Sequence, residues 1–141
     1  MIAVDDKVMN SWQELLDGVI SVPVFIEGSV PEEYKGNYVE LRVESEAEDD
    51  TKHSFRSDLV IITDIVTRFK VSPNRSIASG IDSEIKTLVR PTAQSHGLIK
   101  PAGVQILGVI ASDAAFLQEY STGVIYYRKI VRYTHRIIQT T

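Results

Sequence analysis

His53, His96 and His135 are the side chains of this chain best suited to bind a metal or to move a proton near neutral pH. Their spacing argues against both roles. None stands three or four residues from a second ligand on a helical pattern, and with 0 cysteines no thiolate can complete a zinc set. They read as scattered loop and strand-face histidines. A nucleophile would need a general base held beside it, but the chain has no G-x-S-x-G elbow and no Ser, His and Asp whose separations nominate a triad. "SIASGIDSE" (76–84) has one glycine where a phosphate-cradling loop needs several at fixed spacing. No cofactor, metal site or catalytic set is expected.

Two charged segments remain. The first is "ESEAEDD", with Glu44, Glu46, Glu48, Asp49 and Asp50 within seven residues. Carboxylates suit a hard cation, but the central Gly and terminal Glu of a calcium loop are missing. Like charges in a block repel and stay hydrated, so a solvated loop is favoured over a specific site. The sharper alternative is electrostatic: such a loop facing a channel repels DNA phosphates and lets a duplex slide, since affinity for DNA comes largely from phosphate neutralisation.

The second segment is "GVIYYRKIVRYTHRII" (123–138), whose alternation puts Arg128, Arg132 and Arg136 on one strand face beside Tyr126. Basic grooves with aromatic platforms bind single-stranded nucleic acid. The formal net charge of −4 and the lack of an RNA-binding signature favour a solvent- or subunit-facing strand instead. Acids on one subunit and arginines on the next would set register in an assembly, and a head-to-tail contact of that kind closes into a ring.

The elements that position these groups follow from periodicity. Val8, Trp12, Leu15 and Leu16 share a helical face, which predicts a helix from about Asp6 to Asp17, with Asp5 or Asp6 as its cap and Gly18 past its end. Pro23 limits "SVPVFIEG" to an edge strand or a strand start. "YVELRVES" alternates as a half-buried antiparallel strand, and the acidic run with "TKHSFRS" follows as a polar loop. A long strand covers Leu59 to Lys70. Its more apolar face is Leu59, Ile61, Thr63, Ile65, Thr67 and Phe69, and its other face carries Asp64 and Arg68, a pair that suggests a covered interface.

Ile77, Ile81, Ile85 and Leu88, with Val89 beside them, predict a second helix capped by Asn74 or Ser76 and stopped at Pro91. Gly80 inside it costs roughly 1 kcal/mol relative to Ala, which hints at close packing there. A strand over about Gly103 to Ala111, the connection "DAAFLQEYSTG", and a strand from about Val124 to Ile138 complete the chain. The order α-β-β-β-α-β-β predicts one α+β domain over 1–141, a mainly antiparallel sheet with helices on one face. The strands flanking the second helix are left open as parallel neighbours. With 43% apolar and 24% charged residues the composition is globular. "MIAVDDKVMN" lacks the pattern of a signal peptide, and the apolar runs are too short to cross a bilayer as a helix.

The order and texture of "YVELRVESEAEDD", "DLVIITDIVTRFK", "SIASGIDSEIKTLVRP", "GVQILGVIAS" and "GVIYYRKIVRYTHRII" resemble the tail-terminator or tail-completion family of tailed phages and related contractile particles, from about Asp5 to Ile138. The resemblance implies a non-enzymatic virion protein, assembled in the host cytoplasm as a homo-oligomeric ring, commonly a hexamer. The ring would sit at the head–tail junction between tail tube and head connector, with DNA passing through it and no membrane involved. Carried onto this chain, it makes Glu44, Glu46, Glu48, Asp49 and Asp50 a lumen or neighbour-contacting loop. Arg128, Arg132 and Arg136, with Asp64 and Arg68, become subunit-interface candidates. The loops "TKHSFRS" and "TAQSHGLIKPAG" are longer than such a domain requires, which leaves a neck protein of a short-tailed phage as a variant of this reading. A small nucleic-acid-binding α+β module using the arginine face is the alternative from a different class. A small enzyme with an unrecognised site is a third, lowered by the lack of any clustered His, Cys and carboxylate set.

Overall fold

A computed structural model describes residues 4–51, 54–90, 97 and 104–139. In chain order the elements are α1 (Val4–Leu16), β1 (Val24–Ile26), β2 (Tyr38–Thr51), β3 (Ser54–Phe69), α2 (Arg75–Val89), β4 (Val104–Ser121) and β5 (Val124–Gln139). The strands form one five-stranded sheet in the order β1-β2-β3-β5-β4. The expected α+β class and element order are therefore present. β2–β3, β3–β5 and β5–β4 are antiparallel and β1–β2 is parallel. The two strands flanking α2 are not neighbours, because β5 runs between them.

Both helices pack on one sheet face. Period-two alternation sends Leu59, Ile61, Thr63, Ile65 and Thr67 of β3 and Tyr127, Val131, Tyr133 and Ile137 of β5 into this layer, all of them buried. Val8, Met9, Trp12 and Leu16 of α1 and Ala78, Ile81, Ile85 and Val89 of α2 close over them. Each fully buried Leu or Ile side chain stabilises the fold by roughly 1.5–3 kcal/mol, and among the described residues no helix lies on the opposite sheet face.

Several local expectations shift. α1 begins at Val4, so Asp5 and Asp6 lie in its first turn, where acids favour the helix dipole; the cap position falls outside the described residues. Gly18 takes φ +79° just past the helix end, as its position there predicts. Asn74 caps α2 through Oδ1, which accepts from the Ser76 amide at 2.9 Å. The buried stripe of α2 is Ala78, Ile81, Asp82, Ile85 and Val89, rotated so that Ile77 is exposed. Gly80 is also exposed, and a Cβ built there meets nothing within 4 Å, so close packing does not explain it. Pro91, His53, His96 and the rest of 91–96 lie outside the described residues.

The larger corrections concern the strands. The acidic run is not a loop. β2 continues through it to Thr51 and pairs in register with β3, with Glu46 opposite Leu59, Glu48 opposite Ser57 and Asp50 opposite Phe55. A bulge between Val43 and Ser45 adjusts the register where the run begins. Likewise "DAAFLQEYS" is not a connection but the second half of β4, which stays paired with β5 up to Ser121↔Val124. Two bulges, between Ile106 and Gly108 and between Asp113 and Ala115, let this 18-residue strand follow its 16-residue partner. A long β3 and β5 template both extensions, because a paired backbone satisfies its polar groups whatever the side-chain charge. Thr122 and Gly123 make the two-residue turn, with φ +40° and +76°, the left-handed pair of a type I′ hairpin.

Candidate functional site on the open sheet face

The helix-free face carries the interface candidates. Register aligns Glu40 of β2, Asp64 of β3 and Ile130 of β5 across the sheet, with Arg128 two residues along β5. Asp64 is 1% exposed although no helix covers it, because two arginines fold over it. Arg42 Nη2 lies 3.3 Å from its Oδ2, Arg128 Nε donates to Oδ1 at 3.1 Å, and Arg128 Nη2 donates to Oδ2. Arg128 Nη1 also donates to Glu119 of β4 at 3.1 Å, so one guanidinium ties β3 to both later strands. Such forked, charge-assisted contacts are the strong kind. Hydrogen bonding to Asp64 holds the Arg128 pKa above its usual value, against the opposing effect of burial.

The other arginines are paired as well. Arg132 Nε donates to Glu44 at 2.7 Å, and Arg136 Nε lies 4.0 Å from Asp58. The arginine face is thus charge-balanced within one chain, with Glu44 at the base of the acidic arm as one of its counter-ions. Arg68 differs. Its guanidinium stands 5.3 Å from the Tyr126 ring centroid, and its Nε is buried without a hydrogen-bond partner among the described residues. Burial raises the Glu40 carboxyl above the usual carboxylate range; Arg42 and Arg128 oppose this, and Asp64 and Glu27 reinforce it.

Two polar groups under the helices were not anticipated. His135 is fully buried: Trp12 Nε1 donates to its Nε2 at 2.7 Å, and its Nδ1 faces the Leu59 carbonyl at 3.1 Å. An indole only donates and a carbonyl only accepts, so Nδ1 carries the proton and the ring is neutral. Lys129 Nζ meets Asp82 Oδ2 of α2 at 2.6 Å, and Lys86 Nζ reaches the same oxygen at 2.8 Å. Phe116 of β4 lies under two cations, Arg75 at 4.9 Å and Lys129 at 5.3 Å. The signal was available, since Lys129 and His135 share the parity of Tyr127 and Tyr133. Among the described residues no group of three or more His, Cys, Asp or Glu is placed to hold a metal ion, and no helix is long and apolar enough to cross a membrane.

No protein-family profile and no curated protein sequence matches this chain. Among solved structures, a chain from the "Virion of native gene transfer agent (GTA) particle" superposes with a TM-score of 0.56 at 13% identity, covering 95% of this chain and 95% of that one. At that identity the likeness establishes a shared fold, and a fold alone does not carry a function.

Proposed function

We propose that this protein is a structural subunit of a tailed-phage-like particle, forming a closed homo-oligomeric ring at the head–tail junction through which DNA passes. The observation that carries the reading is the fold match, which runs end to end over 95% of both chains and whose partner is a virion chain. The sheet supports it. β1 pairs with β2 only at Val39–Leu41, so the outer edge of β2 beyond Leu41 has no strand partner among the described residues. The outer edge of β4 also has no strand partner among the described residues, and Ile110 and Tyr120 stand 65% and 73% exposed on that strand. Open edges with exposed apolar side chains are surfaces that a neighbouring copy covers in an assembly. In this reading the role is scaffolding rather than catalysis, and the ring adjoins the tail tube and the head connector.

The pairing of the arginines with Asp64, Glu119, Glu44 and Asp58 favours this reading over a nucleic-acid module, because it leaves less uncompensated positive charge on that face. Deletion of the gene from a producing strain tests the proposal. The expected result, by electron microscopy of lysates, is full-sized heads separated from tails or tails of uncontrolled length. Normal joined particles would refute it.

A further inference from the structure

At the end of the sheet remote from the acidic arm, Lys35, Arg68, Phe69, Lys70 and Val124 line a cavity of about 290 Å³. Three of its five lining residues are cations and none is an acid. Neither Lys35 nor Lys70 has an ion-pair partner among the described residues. The Arg68 guanidinium lies 5.3 Å from the Tyr126 ring centroid, and the Arg68 backbone amide donates to Asn37 Oδ1 at 2.9 Å. A guanidinium and two unpaired ammonium groups lining one cavity describe a receptor for an anionic group.

We propose that this cavity receives the acidic end of β2, Glu46–Asp50, of a second copy of the chain. The inference rests on the ring reading and names one of its contacts. Charge complementarity selects the occupant: the sequence concentrates four carboxylates in the five residues 46–50. The cavity of the same chain is out of reach. Asp50 is paired opposite Phe55, thirteen residues along β3 from Arg68, about 40 Å at roughly 3.3 Å per residue. Arg42, Arg128, Arg132 and Arg136 are already matched within the chain, Arg132 by Glu44 itself. A contact joining opposite ends of identical subunits is heterologous, the kind that closes into rings.

A charge exchange tests this. One variant carries Lys35→Glu and Lys70→Glu; the other carries Glu46→Lys, Glu48→Lys and Asp50→Lys. Native mass is measured by light scattering at low salt for the wild type, for each variant alone, and for an equimolar mixture. The expected result is an oligomer for the wild type, loss of assembly in each variant alone, and restored assembly in the mixture, where each reversed surface meets its complement. Restoration also shows that both variants fold.

Variants that assemble like the wild type would overturn the contact while leaving the ring reading intact. Failure of the mixture to assemble, or a wild-type chain that stays monomeric throughout, would overturn the contact too; gene deletion then judges the ring separately. A short DNA duplex is the remaining probe. If the cavity variant loses duplex binding while its self-association is unchanged, the cavity holds phosphate and the proposal is wrong.

Discussion

At the scale of single residues, two polar groups of the core, His135 and Lys129, are held by specific partners. Trp12 and the Leu59 carbonyl bracket His135 and fix its tautomer. Trp12→Phe keeps most of the apolar volume but leaves His135 Nε2 without its donor. An unsatisfied buried acceptor costs about 1–3 kcal/mol, so the urea midpoint should fall accordingly. Asp82 anchors Lys129, which is 7% exposed. Asp82→Ala strands that ammonium and should cost about 3–5 kcal/mol, whereas pairing Asp82→Leu with Lys129→Met should recover most of the loss. Equilibrium denaturation of the single and double variants checks both.

Glu40 makes the opposite case. Burial raises its carboxyl in the folded state, so folding favours the protonated form. The stability it contributes is complete below the unfolded pKa, near 4.3, and is lost as pH rises through the folded value. Glu40→Gln should therefore stabilise the protein at pH 7, with an advantage that vanishes below about pH 4. Melting curves across that range read the effect directly.

At the scale of elements, the hairpins carry the architecture. Thr122 is a β-branched residue at φ +40°, in a turn whose two central positions favour Asn-Gly. Thr122→Asn should raise stability by about 0.5–1 kcal/mol, visible as a higher urea midpoint with an unchanged slope. The sequence showed the alternating strands because a half-buried sheet imprints period two on it. Leu59–Thr67 and Tyr127–Ile137 were therefore legible in phase and face. It hid the strand extensions because "ESEAEDD" and "DAAFLQEYS" carry no apolar alternation; they are strands through backbone pairing to a long neighbour, which no local pattern encodes. Bulges at Val43/Ser45 and in β4 disturbed the phase further. In the α2 stripe Ile81, Ile85 and Val89 are buried as the spacing predicts, while Ala78 and Asp82, a small residue and a charge, take buried slots and Ile77 is exposed.

At the scale of the molecule, a long sheet is covered on one face and open on the other. Charge is balanced across the open face and separated along the strands, with an acidic arm at one end and a lysine- and arginine-lined cavity at the other. The candidate arginines were located correctly on one strand face, but their partners were not visible in the sequence. Asp64, Glu119, Glu44 and Asp58 come to them from three other strands. Lys35 and Lys70, without ion-pair partners among the described residues, are left with Arg68 as the cations open to an intermolecular contact.

The measurement that bears most directly on the account is the mass of the purified chain by light scattering, over a range of concentrations at low and high salt. The account predicts one closed species of several 15.8 kDa subunits, about six, that loses subunits as salt screens its charged contacts. A monomer at every concentration, or an open-ended ladder of masses, would contradict it.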